Sequence, residues 1–200
     1  MAITSWIRYK QVKYLINEMV VVVAVVNKNE NERKIDSKLL RKANVLSLIF
    51  ALISSFGGIM TGNFREIEMF FTHIFSAVLL FGGLLFYMII QTFICYHIYR
   101  QQLFNYETYP YGMIIVTIIS ICALPPLAYT AFYSVKKIGW NQFINFQYRF
   151  HWPENDSGYN EHIISTISEW FVIQMASVFY FILSFHMKKF GDKRIDMIHF

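Results

Sequence analysis

A histidine and a carboxylate fall on one face of the last hydrophobic segment of the chain. His162 and Glu169 are seven residues apart, and Ser165 lies three residues after His162. At about 100° per residue, the three side chains share one helix face and span roughly 10 Å of its axis. Such an acid–base pair could serve proton transfer or chemistry on lipid acyl groups. We favour the alternative, a structural hydrogen-bond cluster, and no nucleophile with a recognisable base accompanies the pair.

A second line of polar residues runs along an earlier hydrophobic segment. His73, Tyr87 and Gln91 are separated by 14 and 4 residues, so they lie near one helix face. If this segment packs against the last one, His73 and His162 lie near the same membrane surface, with Glu169 slightly deeper. A membrane histidine is more often a packing residue than a proton carrier or ligand. We interpret these residues as one candidate intramembrane polar cluster: His73, Tyr87, Gln91, His162, Ser165 and Glu169.

These residues lie in hydrophobic blocks that are long enough to cross a bilayer. Hydrophobic residues make up 56% of the 200-residue chain and come in blocks rather than in an amphipathic pattern. A charge inside such a block costs at least about 2.5–3.5 kcal/mol, so we expect Glu169 to be hydrogen-bonded within the bundle, to His73 or a neighbouring hydroxyl. The sequence predicts an all-α integral membrane protein, a bundle with spans near residues 43–61, 69–96, 112–133 and 163–187.

Small residues and prolines shape two of the predicted spans. Ser54, Gly58 and Gly62 recur every fourth residue in the first span, and Gly57 adjoins them. Small side chains at this spacing allow helices to approach closely, so we expect the stripe to serve helix packing. The tight turn after the stripe makes the first two spans antiparallel neighbours. The pair Pro125-Pro126 is expected to kink or break the third span.

The basic residues are distributed unevenly about the spans. Placing both termini in the cytosol puts fourteen Lys and Arg residues inside and four outside. We therefore predict that residues 1–42 are a basic cytosolic segment, that 188–200 are a basic cytosolic tail, and that the 134–161 connection is lumenal or extracellular. The apolar run Met19–Val26 is less than half a span, could form a short strand or a re-entrant piece, and has no assigned function.

Composition also limits the partners and cofactors. The net charge of +5 is accounted for by topology rather than by nucleic acid, so no nucleic-acid partner is expected. The expected partners are the lipid bilayer, anionic lipids that contact the basic segments, and other membrane proteins. Phosphate-binding loops, dinucleotide-binding glycine motifs, zinc HExxH motifs and nucleophile elbows are missing from the sequence. We expect no cofactor and no metal, and we favour a protein that is not an enzyme.

An ordered set of residues resembles the Frag/DRAM/Sfk superfamily, particularly its DRAM (damage-regulated autophagy modulator) branch. In the last loop and helix these are Trp152-Pro153, Asp156, Gly158-Tyr159, His162, Ser165 and Glu169-Trp170. Further pieces in the family's order are Arg8-Tyr9-Lys10, Asn44, Ser47-Leu48, Asn63-Phe64, Glu66, His73, Tyr87, Gln91 and Tyr96. The family has six spans. The resemblance therefore implies an N-terminally truncated member in which Ile3–Lys10 is the remnant of an upstream span.

The resemblance also implies a function and a location. It indicates a non-catalytic multi-span protein that modulates autophagy or a lysosomal membrane process, in a lysosomal membrane or another endomembrane. Other branches leave alternatives open: a lipid-remodelling enzyme of the GPI-anchor type, a transport protein, or a regulator of a phosphoinositide-kinase complex at the plasma membrane.

Overall fold

The fold consists of helices throughout the residues that the structure describes. The computed structural model describes residues 1–26, 30–66, 68–100, 109–145, 147–148 and 151–198, of which 22–26, 30–36 and 189–198 are described by their backbone. The helices are α1 (Ala2–Val26), α2 (Glu30–Asn63), α3 (Phe70–Arg100), α4 (Tyr111–Ile138), α5 (Trp140–Ile144) and α6 (Tyr159–Ile198). The predicted all-α class is confirmed.

Four of these helices are long and apolar enough to cross a membrane. Within the described residues they are Ser37–Asn63, Phe70–Arg100, Tyr111–Ile138 and Tyr159–Lys188, so each predicted span lies almost wholly inside one helix. The helices extend beyond the predicted spans because polar residues at a membrane surface can continue the same backbone hydrogen-bond pattern. The predicted set of four spans is therefore confirmed.

The apolar run Met19–Val26 is the end of helix α1 and not a strand. A helix that begins at Ala2 satisfies the backbone groups of this run internally, which a lone strand in an apolar setting cannot do. Upstream of the run, α1 buries one face against α2 and α3. The cluster formed there consists of Val12, Leu15, Ile16, Met19, Leu40, Ile94 and Ile98.

Helices α2 and α3 form an antiparallel pair in close contact. Ser54 Oγ donates to the carbonyl of Leu80 over 2.8 Å, and Thr61 Oγ1 donates to Ser76 Oγ over 3.0 Å. A Cβ atom added at Gly57 would lie 2.5 Å from the Leu80 backbone nitrogen. The backbones therefore approach so closely that only glycine fits at position 57.

The interface does not follow the predicted stripe of small residues. A Cβ atom at Gly58 would meet only the Leu80 side chain, at 3.4 Å, and one at Gly62 would meet nothing within 4 Å. Successive steps of four residues rotate about 40° around a straight helix, so a stripe with this spacing drifts off the contact. The contact follows Ser54, Gly57 and Thr61 instead.

Helices α4 and α6 form a second antiparallel pair. Ser165 Oγ on α6 lies 3.4 Å from the carbonyl oxygen of Leu127 on α4. A Cβ atom at Gly112 would lie 3.1 Å from Cδ1 of Ile182, so the same pair of helices also meets near its other end. The expected break at Pro125-Pro126 is absent, because α4 continues as one helix through both prolines. Neighbouring helices can re-satisfy backbone groups that proline frees in a membrane helix.

The two pairs meet in an apolar core at mid-depth. This core combines side chains of α2, α3, α4 and α6: Ala51, Leu84, Tyr87, Met88, Cys95, Met113, Val116, Ala176, Phe179 and Leu183. We call the end of the bundle that contains residues 63–66, 139–145 and 151–158 the turn end.

Candidate functional site

Arg8, on the second turn of α1, has no exposed surface. Its Nη1 donates to Oε1 of Gln11 over 2.8 Å, its Nη2 to Sγ of Cys95 over 3.0 Å, and its Nε to Oε1 of Gln91 over 3.3 Å. A buried guanidinium is strongly destabilising unless its donors find acceptors. The three acceptors come from α1 and α3, so the charge holds these two helices together.

Gln91 and Gln11 extend this arrangement to two further helices. Gln91 Nε2 donates to Oγ of Ser47 on α2 over 2.7 Å, and Gln11 Nε2 donates to the carbonyl of Met187 on α6 over 3.3 Å. Each amide therefore turns its oxygen towards the guanidinium and its NH2 group towards another helix. Four helices meet at one buried charge.

Two tyrosines lie one turn from this charge, on the side of the turn end. The rings of Tyr87 and Tyr180 stack with their centroids 5.5 Å apart, and Tyr180 OH lies 3.3 Å from Oγ of Ser5. The Tyr87 hydroxyl is buried and has no hydrogen-bond partner among the described residues. We call the connected residues the Arg8 network: Ser5, Arg8, Gln11, Ser47, Tyr87, Gln91, Cys95 and Tyr180.

The chemistry available to the Arg8 network is that of a fixed positive charge. No carboxylate forms an ion pair with Arg8 in the part of the chain that the structure describes. A guanidinium offers five N–H donors and no acceptor. Its planar fork of donors is suited to fixing the positions of acceptors on several elements at once. The arrangement is therefore suited to bracing the bundle.

The six residues predicted as one polar cluster are found at separate places. Tyr87 and Gln91 belong to the Arg8 network. His73 lies near the turn end, where its Nδ1 is 2.7 Å from the carbonyl oxygen of Phe64, a contact in which the protonated nitrogen donates. His73 and Tyr87 thus lie on the same helix but belong to different sites.

Glu169 is half-buried on α6, where Glu66 and His73 are the charged groups that act on it. Among the described residues it has no hydrogen-bond partner, so the expected bond to His73 or to a hydroxyl is absent from this structure. His73 keeps its ring bonded to the backbone of its own turn instead.

His162 and Ser165 contact the α4 side of the bundle and the connection before α6. The His162 ring stacks on Trp152 with centroids 4.7 Å apart and planes 14° apart, and Ser165 contacts the backbone of Leu127. His73 and His162 make different contacts, although α6 also reaches α3 where Phe179 and Tyr180 pack against Tyr87.

The connection between α4 and α6 is held by its own polar contacts. Lys137 and Glu161 form an ion pair of 2.5 Å, and Tyr148 OH donates to Oδ2 of Asp156 over 2.5 Å. Burial, followed by this bond, raises the pKa of Tyr148 to about 12, and the same bond lowers the pKa of Asp156. The connection is therefore fixed at neutral pH with Asp156 ionised.

Sequence reasoning missed the centre of the Arg8 network. It assigned Arg8 with Lys10 and Lys13 to a basic cytosolic segment, yet Arg8 is buried whereas both lysines are exposed. A signal was present, since Ser5, Arg8, Gln11, Val12, Leu15, Ile16 and Met19 follow the spacing of one helix face.

Comparison with known proteins agrees with this architecture. Residues 1–190 match the family model described as the Frag1/DRAM/Sfk1/Cwh43P N-terminal domain. The chain is 26% identical over 167 residues to the DNA damage-regulated autophagy modulator protein 2 of Rattus norvegicus and of Homo sapiens, which covers 84% of this chain and 54% of each relative.

Modulator protein 1 of Homo sapiens is 25% identical over 139 residues, which covers 70% of this chain and 52% of that relative. The chain thus spans about half the length of these curated relatives. No solved structure matches it. Because the family model covers nearly the whole chain, the protein belongs to the Frag1/DRAM/Sfk1 family of membrane proteins.

Proposed function

We propose that the protein is a non-catalytic endomembrane protein, residing in lysosomal or related membranes, that modulates autophagy. The names of its relatives, which are autophagy modulator proteins, support the process. The observation that carries the non-catalytic part is the Arg8 network, whose hydrogen bonds join α1 to α3 and α6, and α3 to α2. Such a brace fixes the shape of a bundle and leaves its surfaces for binding.

The proposal includes an orientation with both termini in the cytosol. The fourteen-to-four distribution of basic residues supports it. Lys13 and the basic residues beyond it up to position 42, together with those of residues 188–200, would then present positive charge to anionic headgroups, at about 1 kcal/mol for each charge near the surface. Glycosylation acceptor sites placed in the 134–161 connection and in the C-terminal tail test this orientation. Modification of the tail alone would overturn it.

Autophagic flux is the direct test of the function. The turnover of an autophagosome marker, measured by blocking lysosomal degradation, should differ between cells that lack the protein and cells that contain it. Expression of the wild-type protein should restore the normal turnover. The variant Arg8→Met should fail to restore flux, whereas Lys13→Met, on an exposed position of the same helix, should restore it. Unchanged flux together with confinement to the plasma membrane would overturn the proposal in favour of regulating a phosphoinositide-kinase complex.

A second candidate function is lipid remodelling or transport at the turn end. It is favoured by one observation: Glu169, half-buried, lies under the influence of His73 and Glu66 and has no hydrogen-bond partner in the described part of the chain. Purified protein in vesicles should then alter a GPI-type lipid or a phosphoinositide, or move protons. Glu169→Gln should abolish that turnover and leave folding intact. Absence of turnover for the wild-type protein would exclude this candidate.

A further inference from the structure

The connection between α4 and α6 contains the triplet Asn155-Asp156-Ser157. It is the only place in the sequence where Ser or Thr follows an asparagine by two positions, and the residue between them is not proline. A triplet of this form is the acceptor for N-linked glycosylation, and it is used where a surface segment faces the lumen of the secretory pathway. Because such a triplet also arises by chance, its exposure and its distance from the membrane determine whether it can be used.

The structure presents this triplet on a tight turn. The backbone N–H of Asp156 donates to the carbonyl of Pro153 over 3.0 Å, so Asn155 is the third residue of a β-turn. Asn155 and Ser157 are both exposed. Asp156 is partly buried, and its Oδ2 accepts from Tyr148 while its Oδ1 accepts from the backbone N–H of Ser157 over 2.8 Å. The two side chains that define the triplet are therefore accessible, and the side chain between them holds the turn.

The other contacts that hold the connection do not involve Asn155. Trp152 stacks on His162, and Lys137 forms an ion pair with Glu161. A glycan attached to Nδ2 of Asn155 would break neither contact, and its hydrophilic bulk would extend into solvent. The turn can therefore accept a large group without a change in the fold.

The triplet also lies outside the hydrocarbon core of the bilayer. The membrane-spanning part of α6 is Tyr159–Lys188, 30 residues that extend over about 45 Å, whereas the core is about 30 Å thick. Lys188 begins the basic tail and so lies at the membrane surface away from the turn end. About 20 residues counted back from Lys188 reach Glu169, so the first turns of α6, which contain Glu161, extend beyond the core. Asn155 precedes these turns in the chain.

From these observations we propose that Asn155 carries an N-linked glycan on the lumenal or extracellular side of the membrane. The modification rests on the orientation given with the proposed function, in which the 134–161 connection is not cytosolic, and it does not depend on a role in autophagy. In the transfer, Nδ2 of Asn155 loses one proton and bonds to the anomeric carbon of an oligosaccharide carried on a lipid pyrophosphate. The bond from that carbon to the pyrophosphate oxygen breaks, and the lipid pyrophosphate leaves with the electron pair.

Expression of the full chain in cultured mammalian cells tests the modification. Protein that elutes as a single peak in size-exclusion chromatography, after extraction in mild detergent, is treated with peptide N-glycosidase in heavy-oxygen water. We expect the enzyme to shift the protein to faster gel migration. Mass spectrometry should then find Asn155 converted to an aspartate that contains heavy oxygen. Modification found only in aggregated protein would overturn the proposal, because the folded turn would then not be the acceptor.

Substitutions within and beside the triplet make the test specific. Asn155→Gln and Ser157→Ala should each abolish the gel shift, whereas Ser157→Thr should keep it, because threonine also completes the triplet. Asn160→Gln is the matched control, since Asn160 is exposed in the same region and has no Ser or Thr two positions after it. This control should keep the shift. A shift that persists in Asn155→Gln would place the glycan elsewhere and overturn the proposal.

A second acceptor separates this proposal from the proposed orientation. In the Asn155→Gln background, an Asn-Gly-Thr triplet within a flexible Gly/Ser stretch is inserted after Asn145 in one protein and after Phe200 in another. Glycosylation after Asn145, together with an unmodified Asn155 in the wild-type protein, would overturn the glycan at Asn155 and leave the orientation intact. Glycosylation only after Phe200 would overturn both.

Discussion

Nη2 of Arg8 donates a hydrogen bond to Sγ of Cys95 over 3.0 Å, and both side chains are fully buried. The two residues are 87 positions apart, so the contact joins α1 to the second membrane-spanning helix. Sulfur is a weak acceptor, which means that the amides of Gln11 and Gln91 satisfy most of the charge. The Arg8 network therefore depends mainly on Gln11 and Gln91, which also bond to α6 and α2.

Removing the charge should destabilise the bundle. Arg8→Met leaves the buried acceptors of Gln11 and Gln91 without donors, at about 1–3 kcal/mol for each unsatisfied group. We expect a lower thermal midpoint in fluorescence-detected size-exclusion chromatography. Lys13→Met, on an exposed position of α1, should leave the midpoint unchanged. The same midpoint for both variants would contradict the role of Arg8 as a brace.

Glycine should matter at position 57 and not at position 62. Gly57→Ala places a Cβ atom 2.5 Å from the Leu80 backbone nitrogen, so α2 and α3 must move apart. Gly62→Ala meets nothing within 4 Å and gains helix propensity worth about 1 kcal/mol. The thermal midpoint should fall for the first variant and hold or rise for the second. The reverse order would mean that the helices meet along the predicted stripe after all.

The two glycines with positive φ in the α4–α6 connection allow the effect of backbone strain to be distinguished from the effect of a steric clash. Gly139 has φ 84° and Gly158 has φ 89°, so alanine is strained at both. Only at Gly158 would the added Cβ atom also collide, 2.8 Å from the carbonyl oxygen of Ser134. Gly158→Ala should therefore expose the connection to limited proteolysis more than Gly139→Ala does. Equal cleavage would indicate that the backbone of Ser134 can move away from the added Cβ atom without destabilising the connection.

The connection should loosen in acid. The hydrogen bond from Tyr148 lowers the pKa of Asp156, so its stabilising contribution is present above the unfolded pKa of about 4 and is lost as the pH falls through the lower folded value. Cleavage by an acid-active protease should rise over that window.

Asp156→Asn is the matched variant for this measurement, because it removes the titrating group. Its cleavage should depend less on pH between neutrality and about 3 than that of the wild-type protein, and the dependence that remains belongs to Glu161, whose pKa is lowered by the hydrogen bond from Lys137. If the variant and the wild-type protein loosened over the same pH window, another group would control the connection.

The helical class and the four spans could be predicted because membrane insertion depends on the length and apolarity of a segment. The pairs of helices that pack against each other could not be predicted, since an apolar helix face can pack against many different neighbours. The grouping of His73 with His162 depended on this point, since the sequence does not show that His162 stacks on Trp152 or that the His73 ring lies against the backbone of Phe64. The contact between α2 and α3 does not follow the stripe from Ser54 to Gly62, because steps of four residues rotate gradually around a helix.

The burial of Arg8 could not be predicted from charge counting. The positive-inside rule treats every basic residue alike. Burial of a basic side chain depends in addition on whether other helices place hydrogen-bond acceptors at the same depth. The acceptors of Arg8 include Gln91 and Cys95, which lie more than 80 positions further along the chain. Only the assembled helices bring them within reach.

That separation also sets an order of assembly during synthesis. A ribosome delivers α1 first, but the guanidinium of Arg8 has no acceptor on α3 until Gln91 and Cys95 have been inserted. The antiparallel α2–α3 pair, joined by a short turn, can enter the bilayer as one unit before that. Helix α1, which is made before α3, therefore completes its contacts only after α3 has been inserted, and until then its charge depends on the insertion machinery or the membrane surface.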